Sequence, residues 1–116
     1  MSSLAIALIA LIALLHLGFL VLEMFLWTRP AGMKVFRLSP QQAQQSKVLA
    51  ANQGLYNGFL AAGLAYGIAI GSREFALFFL VCVVIAGLYG AITVNRRIFF
   101  VQALPALLAI AGLRLS

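Results

Sequence analysis

Four long apolar runs, separated by short polar segments, dominate the pattern along the chain. They predict helices over residues 4–27, 40–70, 75–92 and 98–113. Most of these runs approach the roughly 20 residues that a helix needs to cross a bilayer. The pattern therefore predicts an all-α fold, a polytopic bundle of four transmembrane helices, with residues 1–116 forming one domain.

The second helix opens with the clearest local signal, the tetrapeptide Ser39-Pro40-Gln41-Gln42. The serine suits an N-cap, the proline suits the first helical position, and the glutamine three residues after the serine completes a capping box. Residues 28–38 are predicted to form a loop at the headgroups, because Pro30 and Gly32 break the helix. Turns are predicted at residues 71–74 and 95–97.

Composition and charge agree with a membrane location. The chain is 65% hydrophobic, which is far above the usual share in a soluble domain. The net charge of +6 comes from cations at the ends of the apolar runs, a pattern typical of topology signals and lipid contacts rather than nucleic-acid binding. Residues 1–3 lack the basic region of a signal peptide, so we expect the first helix to be an uncleaved span.

The distribution of the cations predicts an orientation. Six of the eight Lys and Arg residues lie in residues 28–47 and 93–97, and basic residues favour the cytoplasmic side. We therefore expect a multi-pass protein of the inner membrane with these two loops in the cytoplasm. The termini and the turn at residues 71–74 are then expected outside.

Nine polar residues inside or beside the apolar runs are candidate ligand-binding residues, because polar side chains in a membrane normally face a bundle interior or a cavity. They are His16, Glu23, Asn52, Gln53, Tyr56, Asn57, Tyr89, Thr93 and Gln102. Most lie within about 11 Å of the cytoplasmic ends of their helices, at 1.5 Å per residue. This predicts a polar cavity that is closed on the outer side and open to the cytoplasm or the inner leaflet.

Each candidate also has a structural interpretation. His16 suits a hydrogen-bonded interior histidine, and Glu23 suits pairing with a Lys or Arg near the interface. The amides of the second helix suit interhelical hydrogen bonds, and its glycines, spaced by four, suit close packing between helices. No metal site is expected, because the chain has one His and two acidic residues without close ligand spacing.

Several segments resemble domain-of-unknown-function family 1304, a family of small bacterial membrane proteins. The resemblance lies in residues 22–27, 34–36, 47–58, 86–90 and 100–105, and it covers nearly the whole chain. It implies four spans and no particular activity.

A more distant resemblance is to the MAPEG superfamily of glutathione-handling membrane enzymes. Asn52 and Tyr56 keep the spacing of that family's second-helix motif, and Tyr89 with Arg96 keeps the seven-residue step to its catalytic Arg. The resemblance implies a trimer, a catalytic role for Arg96 and glutathione as the candidate cofactor. Val48 and Leu55 stand where the family has the Arg and Glu that hold the charges of glutathione.

Three functions follow as hypotheses. The first is a MAPEG-like protein, with or without catalysis, that binds an amphiphilic small molecule in the bilayer and forms a homo-oligomer. The second is a structural or accessory membrane protein in which the polar residues only join helices. The third is a small proton-coupled exporter that uses Glu23, although that carboxylate lies nearer one end of its span than alternating access requires.

Overall fold

The computed structural model describes residues 1–116 and confirms an all-α fold. The helices are α1 (Ser3–Met24), α2 (Pro30–Phe36), α3 (Pro40–Ala69), α4 (Arg73–Thr93), a π-helical segment (Phe99–Ala103) and α5 (Leu104–Arg114). The chain packs as two compact units, which we call the loop unit (Leu15–Phe59) and the core unit (Met1–Leu14 with Leu60–Ser116).

Local capping signals set several helix ends. The backbone N–H of Gln42 donates to Ser39 Oγ at 3.1 Å, and the backbone N–H of Ser39 donates to Gln42 Oε1 at 2.9 Å, so the predicted capping box of α3 is confirmed. The predicted turn at residues 71–74 is confirmed as well. Gly71 adopts a φ of 65°, which glycine tolerates without a steric penalty, and Ser72 caps α4 by accepting a hydrogen bond from the N–H of Phe75.

The prediction of a loop over residues 28–38 is wrong for most of that segment. The first helix ends at Met24, three residues earlier than predicted, and Pro30 then occupies the first turn of the short helix α2. The N–H groups in the first turn of a helix have no partner within the helix, so the missing N–H of proline costs nothing there. Pro30 therefore starts this helix instead of breaking it. The helix ends at Phe36, and its C-cap residue Arg37 has a φ of 55°.

The hydrophobic core lies within the core unit. Small and branched side chains from α1, α3, α4 and α5 fill it, and these buried residues are Ala5, Ile9, Ile12, Leu64, Ala76, Leu80, Val83, Ala106, Ala109 and Leu113. Four of these ten residues are alanine, which lets the helix backbones approach closely.

The π-helical segment immediately precedes Pro105. The sequence indicates that Pro105 leaves the carbonyl of Val101 without its usual α-helical donor. The chain accommodates this change with a wider turn, in which the N–H of Leu104 donates to the carbonyl of Phe99. A π turn widens the helix by one residue per hydrogen bond, so it gives the proline ring room inside a continuous helical rod.

Arg73 joins the 71–74 turn to the C-terminal end of α5. Its guanidinium donates to the carbonyl of Ser116 at 3.2 Å and also to the carbonyl of Leu113. At the same end, Gly112 lies beside Ala5. The start of α1, the start of α4 and the end of α5 therefore meet at one end of the core unit.

Two helices, α1 and α4, are long and apolar enough to cross a membrane by length and composition, which is weak evidence for a membrane protein. Polar residues in α3 lower its hydropathy, and the apolar stretch Phe99–Arg114 is shorter than a full span. Four spans therefore stay a prediction.

Candidate functional site

Within the loop unit, α1 and α3 approach closely where α3 carries glycine. A Cβ atom on Gly54 would lie 2.7 Å from Met24 Cγ, and one on Gly58 would lie 2.7 Å from Leu20 Cδ1. These distances are too short for carbon atoms in contact. A side chain at Gly54 would also meet Glu23 Cβ at 3.0 Å and the carbonyl oxygen of Leu20 at 3.3 Å, whereas at Gly58 only the end of the Leu20 side chain would have to move. The predicted role of the glycine ridge in helix contact is confirmed for these positions.

The same contact brings Glu23 of α1 to Asn57 of α3. The Nδ2 of Asn57 donates to Glu23 Oε1 at 2.5 Å. Asn57 is only 7% exposed and Glu23 is half-buried. The sequence suggested a Lys or Arg as the structural partner of Glu23, and that interpretation is wrong. The polar neighbour of the carboxylate is a neutral amide, with no cationic side chain against it.

A second polar contact joins the end of α1 to α3. The indole Nε1 of Trp27 donates to Ser46 Oγ at 3.0 Å, and Ser46 Oγ donates in turn to the carbonyl of Gln42 at 2.7 Å. The indole ring also packs against Phe36 of α2, with ring centroids 4.8 Å apart and a tilt of 44°. Hydrogen bonding and ring packing together fix the orientation of Trp27.

These contacts border an open groove of about 240 Å³, lined by Glu23, Trp27, Ser46, Leu49, Ala50 and Gln53. The lining combines a carboxylate, a hydroxyl and an amide with the aliphatic carbon of Leu49 and Ala50. A groove that offers both polar groups and apolar surface suits a molecule that has a polar head and an apolar tail.

The six candidate residues predicted within the loop unit do not all face the groove. Glu23 and Gln53 line it, and Asn57 lies behind it, bonded to Glu23. His16 is fully buried and packs edge-on against Phe19 at a centroid distance of 5.3 Å. Asn52 and Tyr56 are exposed. The predicted polar residues of α3 are therefore divided between a buried and an exposed face.

Four more predicted residues belong to the core unit. Tyr89 and Thr93 are exposed at the end of α4, where the Thr93 hydroxyl donates to the carbonyl of Tyr89 at 2.7 Å. Arg96 is exposed in the turn after α4 rather than on the helix, so the seven-residue step from Tyr89 to Arg96 runs past the end of α4 at Thr93. Gln102 is half-buried in the π-helical segment. Their gathering with the residues of the loop unit into one pocket stays a prediction, as does a catalytic role for Arg96.

Sequence reasoning missed the groove residues Trp27, Ser46, Leu49 and Ala50 as parts of a site. A signal was present in the spacing of Ser46, Ala50 and Gln53, which lie four and three residues apart and so share one helix face. The structure contains no group of three His, Cys, Asp or Glu side chains that could hold a metal ion.

Comparison with known proteins agrees with the family resemblance in the sequence. Residues 10–113 match the family described as a protein of unknown function, DUF1304. The chain is also 32% identical over 114 residues to the uncharacterized protein YpaA of Lactococcus lactis subsp. lactis (strain IL1403), covering 95% of this chain and 96% of that relative. No solved structure matches the chain. With this extent of match, the chain belongs to the DUF1304 family.

Proposed function

We propose that the chain is an integral protein of the inner membrane that binds an amphiphilic small molecule in the groove between α1 and α3. The observation that carries this proposal is the lining of the groove, in which the polar side chains of Glu23 and Ser46 face the same space as Leu49 and Ala50. The fixed indole of Trp27 adds a rigid wall. Rigid walls lower the entropic cost of binding.

The exposure of apolar side chains supports the membrane location. Leu4, Leu11 and Leu14 of α1 are each 60–67% exposed, and Phe78 and Ile85 of α4 are 63% and 62% exposed. Only 22% of the most apolar stretch of each helix is buried. A core helix of a soluble protein would bury most of such a stretch, whereas a bilayer solvates it.

The proposed topology has four spans, formed by α1, α3, α4 and the π-helical segment with α5. The 28–47 and 93–97 loops are cytoplasmic and the termini are outside. The bonds from Arg73 to the C-terminal end of α5 support this arrangement, because they hold together segments that the topology places on one side. Labelling of a cysteine introduced at Lys34 or at Ser116, in a Cys82→Ser background, would test it in intact cells and inverted vesicles.

Native mass spectrometry of the protein in mild detergent tests the proposed binding. Leu49 and Val48 are neighbours in α3 and are 75% and 78% exposed, but only Leu49 lines the groove. Leu49→Trp should fill the groove and remove a co-purified or added amphiphile, whereas Val48→Trp should retain it. Equal retention by both variants, or no binding to the wild-type chain, would contradict the proposal.

A specific observation supports a second candidate, an accessory membrane protein without a ligand. Asn57 is buried and donates to Glu23 across the α1–α3 contact, as an interhelical hydrogen bond would do without any other role. In that case both tryptophan variants would bind no amphiphile. The same masses would reveal a homo-oligomer, which is trimeric if the MAPEG resemblance extends to assembly.

A further inference from the structure

The groove offers mainly hydrogen-bond acceptors. The N–H of Trp27 is already directed to Ser46, and the hydroxyl proton of Ser46 is directed to the carbonyl of Gln42. Ser46 Oγ retains one lone pair that can accept a hydrogen bond. The ionised carboxylate of Glu23 can accept hydrogen bonds but cannot donate them. Gln53 can both donate and accept. A ligand that brings its own N–H donors therefore fits this lining better than a ligand that needs donors.

When ionised, the carboxylate of Glu23 gives the lining a negative charge. Its Oε1 accepts from Asn57, whose amide is neutral, and the second oxygen leaves further acceptor capacity. An ammonium group at this position would form a charge-assisted hydrogen bond, which is stronger than a neutral one. An anionic head in the same place would be repelled by Glu23.

Trp27 adds a second feature that favours a cation. Cations bind to the faces of aromatic rings, and tryptophan gives the strongest interaction. Ser46 holds the edge of the indole, and Phe36 packs against the ring, so its position does not depend on the ligand. Leu49 and Ala50 supply apolar surface for a tail.

We infer that the amphiphile bound in the groove carries a primary ammonium group, which brings N–H donors and contacts Glu23 and Trp27. This inference rests on the proposed function and adds the charge of the ligand to it. The ammonium group can belong to the ethanolamine head of a membrane phospholipid or to a free long-chain amine, and the two share the chemistry that the groove recognises.

The charges of the loop unit allow two mechanisms of ligand selection to be distinguished. This unit contains four exposed cations, Arg29, Lys34, Arg37 and Lys47, and a single acidic residue, Glu23. If the general field of the unit selected the ligand, an anion would bind better, although exposed charges are screened over about 8 Å at physiological salt. If the groove itself selects the ligand, a cation binds better. The two mechanisms therefore predict opposite preferences.

The experiment is a titration followed through Trp27, which is the only tryptophan of the chain. The full chain in phosphatidylcholine nanodiscs is titrated with dodecylammonium, dodecanol and dodecanoate at equal mole fractions. We expect a saturable change in emission, with half-saturation at least tenfold lower for dodecylammonium than for dodecanoate.

Glu23→Gln should remove this preference. It retains an oxygen that accepts from Asn57, removes the charge and replaces the second acceptor oxygen by an NH2 donor. The matched control is Glu74→Gln at the other acidic residue, exposed in the first turn of α4, which should keep it.

The outcomes separate the inference from the proposed function. Equal binding of the three amphiphiles, or a preference for dodecanoate, overturns the ammonium inference and leaves the groove as an amphiphile site. No saturable change with any of them overturns both. If Glu23→Gln fails to fold, the comparison of head groups on the wild-type chain decides alone. In nanodiscs that also contain phosphatidylethanolamine, weaker apparent binding of dodecylammonium assigns the site to the lipid head, and unchanged binding assigns it to a free amine.

Discussion

Replacing Gly87 by alanine tests the close approach of α4 to the π-helical segment. A Cβ atom at this position would lie 2.6 Å from the backbone nitrogen of Ala103 and 3.0 Å from its Cα. Backbone atoms cannot rotate away as a side chain can, so the two helical segments must separate. Gly18 in α1 provides the control, because a Cβ atom there meets nothing within 4 Å.

The two substitutions are expected to change the free energy of unfolding in opposite directions. Overpacking costs about 1–3 kcal/mol, and contact with backbone atoms puts Gly87→Ala near the upper end. The better helix propensity of alanine offsets about 1 kcal/mol of this cost, so the free energy of unfolding should fall by about 2 kcal/mol. Gly18→Ala should gain up to about 1 kcal/mol from propensity alone. At roughly 4 °C per kcal/mol for a chain of this length, Tm should fall by about 8 °C in the first variant and rise by up to about 4 °C in the second.

The assay uses Cys82, the single cysteine, which is half-buried in α4. A thiol-reactive dye that fluoresces on coupling reports the temperature at which this residue becomes accessible. Tm shifts in the same direction for both variants, or a Gly87→Ala Tm within 2 °C of wild type, would refute the predicted contact between α4 and the π-helical segment.

Three further substitutions test the loop unit. Ser39→Ala should cost about 1 kcal/mol through loss of the capping box, measured by thermal melting in circular dichroism, whereas Ser39→Thr should melt like wild type. Gly32→Ala would place a Cβ on the carbonyl oxygen of Leu26, so the emission of Trp27 should shift to the red as the turn before α2 opens; an unchanged maximum would contradict this contact. Ser46→Ala removes the acceptor for the indole N–H and should cost about 1 kcal/mol, and Ser46→Thr should restore that stability.

The sequence predicted those features of the fold that depend on neighbouring residues. The capping box at Ser39 and the turn at Gly71 are such cases, because each needs only a few side chains and one backbone conformation. The short helix α2 was missed because proline both ends one helix and starts another. The choice between these roles depends on where the preceding helix stops, and nothing close to Pro30 in the sequence fixes the end at Met24.

The site was predictable as a set of residues but not as a set of contacts. Glu23 and Asn57 were both identified, yet their hydrogen bond depends on which arc of α3 faces α1. The buried positions Ala50, Gly54 and Asn57 are spaced by four and three residues, so Asn57 shares the face of the packing glycine rather than that of Asn52. A helical projection gives angles within one helix, and it does not tell which angle a partner will occupy.

The exposed face of α3 still requires an explanation in the proposed membrane arrangement. The bond between Trp27 and Ser46 marks the interfacial level, since tryptophan prefers the depth of the headgroups. At 1.5 Å per residue, Asn52 lies about 9 Å and Tyr56 about 15 Å deeper along α3, and the second distance is half the thickness of the hydrocarbon core.

Tyr56 is 54% exposed, so its hydroxyl and the amide of Asn52 would face lipid in an isolated chain. Polar side chains at that depth are costly unless another chain or a ligand covers them. The groove lies nearer the interface, so a small ligand there would not cover Tyr56, and a second copy of the chain is the simpler cover. This argument supports the proposed homo-oligomer independently of the MAPEG resemblance.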